Sequence, residues 1–307
     1  MTTHNDVLAR AHALTPAQKA LLPTDADVAR YHETGFYKSG RLFTAAEIDT
    51  ALAASERFYA GETDDEFGAR EKLAAMPNRS FVPALGTDYG VKLRKHDFAS
   101  LLAPGLAALV RHPLLGAVAA RLAGDDIRLW HDQLLYKPVQ ERGVAANVGW
   151  HTDRGYWKTC ASTDLLTAWI PFHDCDAAMG TITMIDGSLH WPDNTADLNF
   201  FSNDLDGLES KFNTGGKPVV KVPVELLKGE VSFHHCLTIH GSGANLSNAP
   251  RRSIAVHLQN GANRYEDYTF PDGRKGHHDL DDLVQKNAHG EPDYTDSVFN
   301  PLLGVRS

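Results

Sequence analysis

Up to about residue 125 the apolar positions recur three and four apart, the spacing of one helix face, and Ala is frequent among them. That pattern predicts helices over 19–22, 26–31, 45–59 and 106–122. Thr44 stands just before the third with Glu47 three residues on, the pair that closes a capping box. From about Asp126 the grammar changes to short runs rich in β-branched and aromatic residues, divided by polar turns: 127–136, 165–172, 181–185, 218–224, 230–234 and 253–259. Six strands with no helical pattern between them predict an α+β chain that is mainly β, an antiparallel sandwich or barrel with the early helices on one outer face. Neither a repeat nor a low-complexity linker divides the sequence, so one domain over 1–307 is expected, with 1–20 as a frayed arm and 126–260 as the β core. The stretch 194–216 is long, polar and placed between strands, and carries Phe200, Phe201 and Phe212. A loop of that length in a compact domain is expected to be a lid. The tail beyond Gly261 is polar, with no strand pattern.

Composition narrows the class. With 42% hydrophobic and 22% charged residues over 307 positions, the chain can bury a core, which excludes global disorder. A formal charge of −9 lacks the basic footprint of a phosphate-backbone binder, so nucleic acid is not expected as a partner. No run approaches the roughly 18 consecutive apolar residues of a membrane span, and the first 14 residues lack an apolar leader core. The expectation is a cytoplasmic protein, monomer or homodimer, whose partner is a small molecule. Cys160, Cys175 and Cys236 show no CxxC spacing, so neither a disulfide framework nor a zinc knuckle is indicated.

Sixteen histidines are the anomaly. A His-x-Asp followed much later by a second His supplies the facial triad that holds ferrous iron and leaves coordination positions open. Chance alone gives about two His-x-Asp/Glu matches in a chain of this composition. This one has four: His4/Asp6, His151/Asp153, His277/Asp279 and His289/Glu291. Only His151/Asp153 lies in the strand-rich half, at a strand end where one intervening residue lets both side chains face one way. Downstream, His234, His235 and His240 all offer a second histidine, and spacing alone leaves the three open. Arg251 opens a strand pattern in which Arg251, Ser253, Ala255 and His257 share one face and Arg252, Ile254, Val256 and Leu258 the other. The mixed small and polar face suits a lined cavity, and an arginine on it can clamp a carboxylate. Arg154 and Lys158, beside the metal motif, are candidates to meet an anionic substrate, together with Tyr156. His131 and His173 are expected to be structural or pocket-lining, and His277-His278 solvated.

Four blocks carry a resemblance to the phytanoyl-CoA dioxygenase family of Fe(II)/2-oxoglutarate-dependent oxygenases. They are His131-Asp-Gln-Leu-Leu-Tyr-Lys-Pro138, Trp150-His-Thr-Asp-Arg-Gly-Tyr156, Leu166-Thr-Ala-Trp-Ile-Pro-Phe172 with Gly180-Thr-Ile-Thr-Met-Ile-Asp-Gly-Ser-Leu-His190, and His240-Gly-Ser-Gly-Ala-Asn-Leu-Ser-Asn-Ala-Pro-Arg251. The match also reaches Tyr31-His-Glu-Thr-Gly35. The fourth block is the most specific, because in the family the distal His is followed eleven residues later by the co-substrate Arg, as His240 is by Arg251. The family often has Pro-Gly-Ser-His where this chain reads Asp186-Gly187-Ser188-Leu189-His190, an altered turn with one extra residue.

The resemblance implies a double-stranded β-helix, the jelly-roll or cupin-like core. It implies His151, Asp153 and His240 as iron ligands, Arg251 and Ser242 on the distal carboxylate of 2-oxoglutarate, and Trp169 and Gln133 as further co-substrate contacts. With Fe(II), 2-oxoglutarate and O2 it implies hydroxylation of a C–H bond of a metabolite, with release of succinate and CO2. The related halogenases lack the carboxylate, so Asp153 favours hydroxylation. A zinc hydrolase using the same His/Asp/His set, and a non-catalytic cupin-like binding protein, are the competing readings. The hydrolase would not need Arg251 at its spacing, and a binding protein would be expected to have lost a ligand, which this chain has not.

Overall fold

The computed structural model describes residues 14–76, 93–141 and 146–306. His4/Asp6 and most of the expected N-terminal arm lie outside the described residues. Helices α1 (Pro16–Lys19) and α2 (Asp25–Thr34) precede strand β1 (Phe36–Arg41). Helices α3 (Ala45–Tyr59) and α4 (Arg70–Ala75) then lead to β2 (Arg94–Asp97), and α5 (Pro104–Val110) and α6 (Pro113–Ala123) to β3 (Ile127–Lys137) and β4 (Val148–His151). After them come β5 (Leu166–Pro171), β6 (Thr183–Ile185), α7 (Leu205–Glu209), β7 (Lys221–Pro223), β8 (Glu230–His235), β9 (His240–Ser242), β10 (Arg251–Asn260), α8 (Asp279–Leu283) and β11 (Leu302–Gly304).

Threonine starts three of the helices. Thr15, Thr24 and Thr44 each accept from the backbone N–H three residues on, and the side chain at that position accepts from the threonine N–H in return. The box at Thr15, with Pro16 at the first helical position, begins α1 three residues before the expected 19–22 and ends it at Lys19. The expected helix over 106–122 is two helices. Pro113 carries no N–H and forces His112 into extended backbone, and His112 Nδ1 then caps α6 by accepting from Leu114 N. By length and composition alone Pro104–Ala123 suffices to cross a membrane. In the fold it is broken at this proline and contributes Leu106, Leu109, Val110, Leu115, Val118 and Leu122 to the core.

All strand pairs are antiparallel and fall into two sheets. The larger runs β1-β8-β5-β10-β3-β11, with β2 also on β3, and the smaller runs β4-β9-β6-β7. Strands β1, β2, β4, β9 and β11 are not among the expected runs. β1 reads Phe-Tyr-Lys-Ser-Gly-Arg, without clean alternation, and forms because β8 offers it an edge.

The period-two division of β10 holds in the structure. Ile254, Val256 and Leu258 join the main core with the helices, and Arg251, Ala255 and His257 line cavities on the opposite face. A second apolar cluster, with Leu135, Val148, Trp169, Ile182, Met184 and Ala255, brings the two sheets together. Cys160, Cys175 and Cys236 are buried and free.

Candidate active site

Cross-strand register places the floor of the site on one face of the larger sheet. Because neighbours across an antiparallel pair share a face, each register line is a row of side chains. Arg251 of β10 faces Lys137 of β3, and Ser253 stands between Leu135 and Pro171. Ala255 stands between Gln133 and Trp169, and His257 between His131 and Thr167. Across β5, Thr167 faces His234 of β8. The floor therefore begins with two cations and ends with a row of imidazoles around one threonine. The smaller sheet closes over it with His151 on β4 paired to His240 on β9, and Ser242 two residues further along β9.

His151, Asp153 and His240 are buried together, their ligand atoms within 4.8 Å of one another. His151 Nε2 is 3.8 Å and His240 Nε2 3.7 Å from Asp153 Oδ1. Each imidazole is locked from behind. His151 Nδ1 donates to the Gly149 carbonyl at 2.8 Å and His240 Nδ1 to the Thr238 carbonyl at 2.9 Å, which leaves both Nε2 lone pairs facing the carboxylate. Burial, and for His240 the neighbouring imidazoles, push both rings below the ordinary histidine pKa, so they are neutral at pH 7. Burial alone would raise the Asp153 carboxyl, but the imidazoles around it, His240 foremost, and the His234 hydrogen bond hold it well below the usual carboxylate range.

The outer oxygen of Asp153 is held by Thr167 Oγ1 at 2.6 Å and His234 Nε2 at 3.2 Å. Two neutral nitrogens and one pinned carboxylate oxygen are a fitting donor set for a divalent iron with open positions.

At the other end, Lys137 is 0% and Arg251 2% exposed. Like charges directly opposite in a sheet destabilise it, and burial in low dielectric makes that worse. Burial, and then Arg251 beside it, push the Lys137 ammonium well below its ordinary pKa, while burial brings Arg251 down to about 10. No carboxylate among the described residues pairs with either cation. Lys137 Nζ donates to Ser242 Oγ at 2.6 Å and the Gly243 carbonyl at 2.5 Å. Arg251 donates to the Gly180 carbonyl, lies with its guanidinium 5.2 Å from the Trp169 ring, and leaves Nε buried without a partner. Two unpaired buried cations converging on one serine are a preformed site for an anion.

A cavity of about 250 Å³ adjoins the metal ligands. Its walls include Lys95, Asp97, His131, Gln133, Tyr156, Trp157, Phe200, Phe201, His257 and His278. Gln133, Trp169, Ser242 and Arg251 lie around His151, Asp153 and His240, and Tyr156 lines the adjoining cavity. Arg154 and Lys158 do not. Arg154 donates to the Trp157 and Cys160 carbonyls, and Lys158 donates to Thr195 Oγ1 at 2.6 Å; both line a separate depression. The turn after Asp153 is tightened by the Tyr156 N–H bond to the Asp153 carbonyl, and in it both cations are consumed by local backbone and loop bonds.

The tail corrects a second expectation. Of the pair expected to be solvated, His277 is exposed at the cavity mouth and paired with Asp282 at 3.0 Å, whereas His278 is half-buried and lines the cavity, because α8 docks its Leu280 and Leu283 in the core just after them. Sequence reading also missed Lys137, although Tyr-Lys-Pro stands in the first block, since only the register opposite Arg251 reveals it. His235, by contrast, lies outside the site, 3.7 Å from Asp164.

The 194–216 segment is a loop with one short helix, α7. Phe200 packs on the His151 ring with centroids 5.0 Å apart, and its N–H donates to the Tyr156 hydroxyl at 2.8 Å. A side chain at Gly149 would collide with the Asn199 carbonyl, so the loop backbone rests on the strand carrying His151. Phe212 instead packs against Trp150, away from the cavity.

Residues 31–253 match the family model described as Phytanoyl-CoA dioxygenase (PhyH). The chain is 24% identical over 172 residues to the peroxisomal phytanoyl-CoA dioxygenase of Bos taurus, covering 56% of this chain and 51% of the relative, so it spans about half of that protein's length. It is 24% identical over 243 residues to the ectoine dioxygenase of Bordetella parapertussis, covering 74% of this chain and 72% of the relative. In three dimensions it resembles the non-heme alpha ketoglutarate dependent carbocyclase SnoK from nogalamycin biosynthesis, with a TM-score of 0.60, 24% identity, and coverage of 80% of this chain and 87% of that one. The last likeness shows a shared fold.

Proposed function

The chain belongs to the phytanoyl-CoA dioxygenase family, and from that premise we propose that it is an Fe(II)/2-oxoglutarate-dependent dioxygenase that hydroxylates an unactivated C–H bond of a small-molecule metabolite. The observation that carries this reading is the pairing of two complementary sites between the facing sheets. A neutral His/Asp/His set for iron lies beside a buried Lys137/Arg251 pair that no acid among the described residues neutralises. A zinc hydrolase or a binding protein has use for the first and none for the second.

In this reading the two facing sheets form a double-stranded β-helix, residues 1–307 act as one oxygenase domain, and 194–216 is its lid. It works in the cytoplasm, with neither nucleic acid nor a membrane as partner. Iron is held by His151, Asp153 and His240, and 2-oxoglutarate is held at its far carboxylate by Arg251, Lys137 and Ser242. When bound, iron, 2-oxoglutarate and O2 together supply the oxidising power, with succinate and CO2 as co-products.

The rest is the work of side chains. Thr167 and His234 fix the Asp153 carboxylate, so that the inner oxygen keeps its direction. Trp169 lies under the Arg251 guanidinium and holds its plane, so that the fork meets the incoming carboxylate in one orientation. The anion brings the charge that the two cations lack, which makes its binding strong and specific. Phe200 covers the His151 ring and excludes water from that side.

The test is succinate formation from 2-oxoglutarate by the Fe(II)-loaded chain under air, with His151→Ala and Arg251→Ala beside it. The proposal expects slow, substrate-free turnover lost in both variants. Turnover that survives Arg251→Ala at low 2-oxoglutarate would contradict the assignment of the anion site.

A further inference from the structure

We propose that His257 Nε2 is the hydrogen-bond acceptor of a substrate subsite, and that the cavity beside the metal ligands takes a compact ring compound bearing an O–H donor. This rests on the reading of the neighbouring site as an oxygenase centre, but its observations are separate. His257 is 4% exposed, lines the cavity, and has an Nε2 with no partner.

The tautomer follows from its neighbours. Thr167 Oγ1 has one proton, and Asp153 Oδ2 at 2.6 Å, a carboxylate oxygen, can only accept it. Toward His257 Nδ1, 2.7 Å away, the hydroxyl must therefore accept, so that Nδ1 carries the ring proton. In the neutral ring Nε2 is then a bare lone pair. An acceptor buried without a donor costs free energy until a ligand supplies one.

The surroundings specify the rest of the ligand. His131, 3% exposed, has both ring nitrogens without partners and lies 4.4 Å from the His257 ring, centroid to centroid. The Trp157 ring lies 4.9 Å from His257, and Phe98, Phe200 and Phe201 complete aromatic walls. The cationic side chain on this cavity, Lys95, is already paired with Asp97 at 2.6 Å. The cavity thus offers no free cation, flat apolar walls and a hydrogen-bonding patch of imidazoles at one end. Its volume of about 250 Å³ lies just under the roughly 300–1,000 Å³ of pockets for drug-sized ligands. A hydroxylated aromatic or alicyclic ring fits each of these features, whereas a polyanionic thioester fits none of them.

Phenol and anisole, which differ by replacing the O–H with O–CH₃, make the test. Both are titrated into the full-length chain without metal, followed by calorimetry and by the ¹⁵N resonances of labelled histidine. Phenol is expected to bind about tenfold tighter than anisole, and to shift an unprotonated-nitrogen signal that His257→Asn removes. His257→Asn keeps a donor toward Thr167 and loses the acceptor, so it should bind the two ligands equally. His257→Gln, which carries an amide oxygen near the Nε2 position, should keep the preference. Equal binding of phenol and anisole by the unaltered chain, absence of phenol binding, or a preference unchanged in His257→Asn would each overturn the proposal. None of these results depends on iron, so a failed oxygenase assay and a failed subsite remain distinguishable.

Discussion

Arg251 and His257 stand only six residues apart on β10, about 20 Å along a strand, yet their surroundings solve opposite electrostatic problems. At Arg251 the fold buries two facing cations and supplies no acid from the described residues; at His257 it buries neutral imidazoles whose lone pairs lack donors. The first arrangement is a deficit of negative charge, the second a deficit of hydrogen bonds. A site that destabilises the empty protein in two different ways is built to bind two different partners, an anion at one end and an uncharged hydrogen-bonding molecule at the other. His151 and Asp153 line both cavities, so in the proposed reading each partner would reach them.

The sharpest way to break the comparison is at the cation end. Arg251→Ala should raise the 2-oxoglutarate concentration for half-maximal turnover by roughly 30- to 5,000-fold, the usual penalty for removing one member of a buried charge contact. Lys137→Met separates binding from stability. It should weaken 2-oxoglutarate binding while raising the melting temperature of the ligand-free protein, because it removes a buried, unpaired like charge. A Lys137→Met protein that melts lower, or binds 2-oxoglutarate as before, would show that the cation pair is no anion site.

Thr167→Val is the next largest and acts on the metal site and the imidazole end together. It deletes the hydrogen bond to Asp153 and the one that sets the His257 tautomer, and should cost about 10- to 100-fold in Fe(II) affinity, measured by competition with a chelator.

How much of this was legible in the sequence follows the same division. His151/Asp153 is a local motif on one strand, and its rank over three other His-x-Asp/Glu pairs came from strand context. Arg251 was readable because period two fixes which face a strand residue takes. Lys137 was not, since its meaning lies in a register with a residue 114 positions away, and register is a property of the paired strands. The wall contributed by His278 was invisible for a similar reason: the polar tail shows no periodicity, and it returns to the cavity only because α8 anchors it in the core. Arg154 and Lys158 misled by proximity. They neighbour the metal motif in sequence, but the tight turn after Asp153 carries them to a different surface.

A smaller effect sharpens the imidazole end. Burial holds the His278 ring down at about 3 and, with neighbouring imidazoles, His131 well below the ordinary value. The unfolded chain takes up these protons near pH 6.5, whereas the folded protein refuses them until the pH is far lower. Stability should therefore be level above pH 6.5 and fall below it, by up to about 1.4 kcal/mol per pH unit for each such group. Thermal melts between pH 7.5 and 4.5 measure this, and replacing His131 by Phe should flatten the slope. A slope unchanged in that variant would place the proton uptake elsewhere.

The most direct measurement of the central claim is an anaerobic titration of the purified chain with Fe(II) and then 2-oxoglutarate, read as the weak visible charge-transfer band of a chelated Fe(II)-oxoacid. The account predicts a band in the unaltered chain, absent in His151→Ala, and displaced to much higher 2-oxoglutarate in Arg251→Ala. No band at any concentration, with zinc held tightly in place of iron, would contradict it.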